Sequence, residues 1–145
     1  MIPERILGPH EQLAYLKVYW PDFRCRVNAG TLTAIGELSP SPISQTYTVR
    51  IAQKSGRIPE VQVITPELEK SKDGTNIPHM YAQEKLCLFR PGANEWRMSM
   101  PIATTIVPWT SMWLCFYESW HATGEWQGGG VHPEMPMGTG VSHEC

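Results

Sequence analysis

The amino-acid sequence predicts an α+β fold, and three observations carry that expectation. Residues 9–20 place apolar side chains at helical spacing. Residues 23–65 break into four short runs of alternating character joined by turn residues, the pattern of an antiparallel meander. Residues 102–121 carry an aromatic stripe at helical spacing. At 145 residues the chain is long enough to bury one core and is read as a single domain over 1–145, with an irregular tail from about 125.

Each element follows from its residues. Leu13, Leu16 and Trp20 fall on one face of the first helix, with Tyr15 and Val18 beside them, and Pro21-Asp22 ends it. Phe23, Cys25 and Val27 alternate with Arg24 and Arg26, which predicts a strand. Asn28-Ala29-Gly30 is a turn, and Thr31–Leu38 is a second strand with Leu32, Ala34 and Leu38 on one face. Ser39-Pro40-Ser41-Pro42 breaks the chain before a third strand, Gln45–Gln53, whose Tyr47, Val49 and Ile51 share a face. The turn Lys54–Arg57 leads to a fourth strand, Pro59–Thr65. A long polar excursion, residues 66–85, ends at Leu86-Cys87-Leu88-Phe89; loops of that length in a compact domain are usually functional or disordered. In the aromatic stretch, Pro108 fits a first helical turn or a kink, Trp113 and Trp120 are expected in the core, and Gly124 is the expected stop.

Composition excludes several classes. A net charge of −2 gives no broad basic field, so no nucleic-acid partner is expected. No apolar run approaches a membrane span, and the start lacks the layout of a signal peptide, so a cytoplasmic protein with no membrane partner is expected. The four cysteines, Cys25, Cys87, Cys115 and Cys145, show no Cys-x-x-Cys spacing, and no disulfide framework is expected. Gly128-Gly129-Gly130 has no following lysine and is no phosphate loop. His132, His143 and Cys145 match no closed zinc signature, so no metal and no cofactor are assigned. No nucleophile elbow supports serine catalysis.

Cys87 with His79 is the strongest chemical candidate. A thiolate is a strong nucleophile and can hold an acyl group as a thioester, provided it is accessible and partly ionised. The polar loop before Cys87 is expected to supply that setting. Cys25 is expected to be buried and inert, Cys115 to be packed or to face a neighbour, and Cys145 to lack an activating environment. The plainer alternative is that Cys87 is a small buried hydrophobe.

Helix, four-strand meander, proline-containing loop with a histidine, Leu86-Cys87-Leu88, Trp96 and then a long helix: this order resembles the ubiquitin-conjugating enzyme fold. Pro59–Val63 looks like that family's fourth strand, His79 like its motif histidine, Cys87 like its acceptor cysteine and Trp96 like its tryptophan. The chain departs from the family in having His79-Met80-Tyr81 where the motif reads His-Pro-Asn, so the oxyanion-stabilising asparagine has no clear match. The two closing helices of the eukaryotic enzymes are not evident after Gly124. Trp113-Leu114, Tyr117-Glu118, Trp120, Thr123–Trp126 and the glycine run resemble a bacterial branch from short type II cyclic-oligonucleotide-based antiphage (CBASS) operons.

The resemblance implies acyl transfer. Cys87 would take the C-terminal carboxyl of a partner cGAS-like nucleotidyltransferase (CD-NTase) as a thioester and pass it to an amine on a lysine-bearing target. Beside Cys87, His79 and Tyr81 are expected to shape the approach or to donate hydrogen bonds to the oxyanion, with the plainer alternative that His79 only pins the loop. Whether a separate activating protein takes part is left open. Two alternatives stand beside this: a catalytically inactive binding module of the same fold, and a cysteine hydrolase or metal-dependent enzyme using His121 or His132.

Overall fold

The structure is a computed structural model, and it describes residues 4–128. Helix α1 spans Pro9–Tyr19. Pro9 opens it, where a missing N–H costs nothing, and the Glu11 carboxylate accepts the Gly8 N–H at 2.9 Å. Leu16 is fully buried, Leu13 and Trp20 pack against the core, and Tyr15 and Val18 face outward. Gln12 is buried in the first turn of the helix: its side chain donates to the Met100 carbonyl at 3.0 Å and accepts from Ile102 N–H at 2.8 Å. One amide thus ties α1 to the segment leading into the second long helix.

Strands β1 (Arg24–Asn28), β2 (Thr31–Leu38), β3 (Tyr47–Lys54) and β4 (Glu60–Thr65) form a four-stranded antiparallel sheet in sequential order. The two-residue β1–β2 turn holds Ala29 and Gly30 at positive φ, as a tight hairpin requires. Register puts Ala34 beside Ile51, Leu38 beside Tyr47, and Ile51 beside Val61, so one face of three strands is apolar. Gly36 shares that face because the Phe23 ring occupies the space a side chain would need: a Cβ there would lie 2.1 Å from the ring.

Two short strands, β5 (Met80–Tyr81) and β6 (Lys85–Leu86), pair antiparallel as a separate hairpin. The sequence reading has only an irregular excursion here. The turn holds Ala82 and Gln83 at positive φ with no glycine or asparagine to announce it. Its anchor is a side chain: Gln83 accepts from Ile77 N–H at 2.7 Å and donates to the Ile77 carbonyl at 2.8 Å.

A 3-10 turn, Ile102–Thr104, precedes helix α2, Ile106–Thr123, with Pro108 in the first helical turn. Gly124 caps α2 in the left-handed conformation at φ 85. Ile106, Val107, Leu114 and Tyr117 join the apolar sheet face in one core. Trp113 and Trp120 are buried, as their spacing predicts. At the helix's outer end the Glu118 carboxylate accepts hydrogen bonds from Ser44 Oγ at 2.6 Å and Tyr47 Oη at 2.7 Å, fixing the β2–β3 connection to α2.

Candidate active site

The site is assembled from the excursion after β4, the β5–β6 hairpin and one face of α2. The excursion is held at Glu69, whose N–H donates to Tyr117 Oη at 2.8 Å and whose carbonyl lies 2.8 Å from His121 Nε2. His121 therefore serves the loop. Beyond it, His79 takes φ 56, and its carbonyl accepts two hydrogen bonds of 3.0 Å each, from Cys87 N–H and from Trp113 Nε1. That one carbonyl fixes the strand of Cys87, the loop of His79 and α2 to each other.

The Tyr81 hydroxyl lies 3.2 Å from Cys87 Sγ, and the Phe89 carbonyl 3.4 Å from it. His79 and Cys87 line one narrow cleft of about 30 Å³ with Trp109, Trp113, Phe116 and Trp126. A larger groove of about 320 Å³ lies against the other side of the hairpin, lined by Ile58, Pro59, Val61, Tyr81, Leu88 and Pro91. Leu88 borders both, so the residue after the cysteine separates an aromatic cleft from an aliphatic groove. Trp96 is buried, stacked on Phe89 with centroids 6.1 Å apart, and donates to Thr105 Oγ1 at 3.0 Å.

The structure thus brings His79, Tyr81 and Cys87 together. It differs from the sequence expectation at the cysteines. Cys87 is only 3% exposed: it directly follows β6, is tied by its N–H to the His79 carbonyl and lies in the wall of the aromatic cleft instead of on an open loop. It is also disulfide-bonded, although no disulfide framework is expected from the spacing. Cys25 and Cys115 are free thiols. Cys25 is half-buried, and that burial pushes its thiol pKa up, in keeping with an unreactive sulfur. Cys115 is exposed, not packed, because it falls on the outer face of α2.

Two contributors escape sequence reasoning. Trp113 reads as core, yet its indole N–H reaches His79. Trp126 follows the helix stop and packs back into the cleft. A tryptophan two residues past a helix-ending glycine, in a polar segment, is the signal that was available. His132, His143 and Cys145 lie outside the described residues. Among the described residues no group of histidine, cysteine and acidic side chains could hold a metal ion, and no helix is long and apolar enough to cross a membrane.

An N-terminal helix, a four-stranded antiparallel meander, a histidine loop leading to a cysteine and a long following helix define an α+β protein consistent with the ubiquitin-conjugating (E2-like) fold. The family of type II CBASS E2 proteins matches residues 12–133, and the chain belongs to that family. A search of curated proteins finds no match. Membership gives the chain a conjugation-type role in CBASS.

Proposed function

We propose that the protein is a thioester carrier whose acceptor is Cys87 and whose acyl donor is the C-terminus of a CD-NTase. The observation that carries this reading is the placement of Cys87 Sγ 3.2 Å from the Tyr81 hydroxyl, in one cleft with His79. Chemistry requires the reduced thiol. The Cys87 thiolate attacks the donor's activated C-terminal carbonyl, the activating group leaves, and a thioester forms. A lysine amine then attacks the thioester carbonyl. The tetrahedral oxyanion collapses to an amide, and the Cys87 thiolate is expelled.

Tyr81 is suited to donate a hydrogen bond to that oxyanion in place of the family's asparagine; one such donor contributes about 2.7–4 kcal/mol in comparable sites. His79 is suited to receive the amine's proton, a role worth about 10²–10⁴-fold. The burial of Cys87 is the observation that favours a second reading, an inactive binding module of the same fold. A third role, as a hydrolase using His121, loses ground because His121 binds the Glu69 carbonyl at the far end of the excursion.

The test mixes the reduced protein with purified CD-NTase, with and without a candidate activating protein, and follows intact mass. The expected result is a thiol-sensitive adduct that is lost in Cys87→Ser and kept in Cys25→Ser and Cys115→Ser. An adduct that survives Cys87→Ser refutes the assignment; no adduct under any of these conditions favours the binding module.

A further inference from the structure

Gly124 ends α2 at positive φ, and the chain reverses so that Trp126 enters the Cys87 cleft. The Trp126 indole packs against the His79 imidazole in a tilted pair, with ring centroids 5.3 Å apart and planes inclined by 35°. Its other neighbours are Trp113 at 5.2 Å and Phe116 at 6.1 Å, both on α2. Gly128 closes the turn. A Cβ at that position would lie 2.4 Å from the Phe116 ring and 2.7 Å from Trp126 Nε1, so only glycine lets the return segment seat the indole. His79 is thereby fixed twice, its carbonyl by Cys87 N–H and Trp113 Nε1, and its ring by Trp126.

From this geometry we infer that Trp126 is a positioning residue for acyl transfer, acting through His79. The inference rests on the reading of Cys87 as the acyl carrier with His79 beside it. An imidazole swinging on a loop spends little time aligned with an incoming amine. Packing against an indole that is itself wedged on α2 removes that freedom before the amine arrives, and a displacement of about 1 Å in such a group can cost about 10²-fold in rate. In this scheme Trp126 acts through His79 and itself takes up neither a proton nor a bond.

The test uses the full chain under reducing conditions, with the mercaptoethanesulfonate thioester of N-acetylglycine as acyl probe and free lysine as acceptor. Transthioesterification puts the acetylglycyl group on Cys87 and releases the mercaptan. Lysine then yields the amide and restores the thiolate, and the step is read on the Cys87 peptide by mass spectrometry. Trp126→Ala should slow aminolysis about 10–100-fold in kcat with little change in KM for lysine. Trp126→Phe should restore most of the rate, and Gly128→Ala, which pushes the indole out without removing it, should reproduce much of the loss. The double variant His79→Ala/Trp126→Ala should be no slower than His79→Ala alone. In a separate arm, the His79 ring-proton resonances should lose their indole ring-current displacement in Trp126→Ala and regain part of it in Trp126→Phe. A wild-type rate for Trp126→Ala, a further loss in the double variant, or unmoved His79 resonances would overturn the inference. If the wild-type Cys87 takes up no acyl group, the functional reading fails instead, and the resonance arm still decides whether Trp126 orders His79.

Discussion

Replacing Trp113 with alanine removes the side chain that joins the core to the candidate site. Trp113 is 4% exposed, stacks on Tyr117 at 5.7 Å with planes inclined by 10°, and donates to the His79 carbonyl at 3.0 Å. Emptying a buried tryptophan site costs about 3–5 kcal/mol. Within that, the ring pair accounts for about 0.5–1.5 kcal/mol and the hydrogen bond for about 0.5–1.5 kcal/mol. A domain's whole stability is about 5–15 kcal/mol, so Trp113→Ala should leave the protein folded but marginal. Trp113→Phe keeps a stacking ring and most of the apolar volume. The His79 carbonyl retains its bond from Cys87 N–H, so the phenylalanine variant should lose only about 1–2.5 kcal/mol. Urea unfolding followed by far-ultraviolet dichroism, in reductant, gives both numbers, and an unchanged slope against denaturant shows that the two variants unfold from comparable states. Near-wild-type stability for Trp113→Ala would refute the reasoning outright. Equal losses for the two variants would mean that the hydrogen bond to His79, not the packing, carries the energy.

Gln12→Leu should cost about 2–4 kcal/mol, because it leaves the Met100 carbonyl and Ile102 N–H without their partner in the core, and hydrogen exchange at Ile102 should accelerate. Burial and the neighbouring Glu118 carboxylate push the Tyr47 phenol far up, and burial also raises Tyr117. A raised folded-state pKa means that the folded protein holds the proton more tightly than the unfolded chain. Stability from these phenols is therefore fully present below about pH 10, the ordinary tyrosine pKa, and is lost as pH rises above it. Urea midpoints should hold from pH 8 to about 10 and fall between about pH 10 and 11, less so in Tyr47→Phe. Iodoacetamide at pH 8 should alkylate exposed Cys115 about tenfold faster or more than half-buried Cys25, whose thiol is pushed up by burial, as peptide mapping would show.

Much of the fold was legible because the sheet obeys a local code. Leu32, Ala34, Tyr47, Val49 and Ile51 alternate with polar neighbours, and turn residues stand between the runs, so β1–β4 and their order could be read residue by residue. Both long helices were legible for the same reason, down to Pro108 in the first turn and Gly124 at the end. The β5–β6 hairpin was not. Its turn is held by Gln83 reaching back to Ile77, a bond between side chain and backbone that turn-residue preferences do not encode. The burial of Cys87 stayed one of two readings because a Leu-Cys-Leu-Phe run looks the same at a loop mouth and in a buried wall. The juxtaposition of His79 with Cys87 came from family likeness; the bonds that enforce it run through the His79 carbonyl, which no side-chain pattern reports.

That carbonyl has a consequence for experiment. With both lone pairs engaged and φ at 56, the peptide plane at position 79 is anchored on two sides, and the main chain alone sets the direction of its Cα–Cβ bond. Residues that tolerate a positive φ, asparagine and aspartate above all, leave the backbone at position 79 along the same line. Replacing the imidazole with that amide or that acid therefore varies the chemistry offered to Cys87 while the launching point stays fixed. Few sites in a loop allow reactivity and placement to be titrated separately; here the scaffold makes that separation itself.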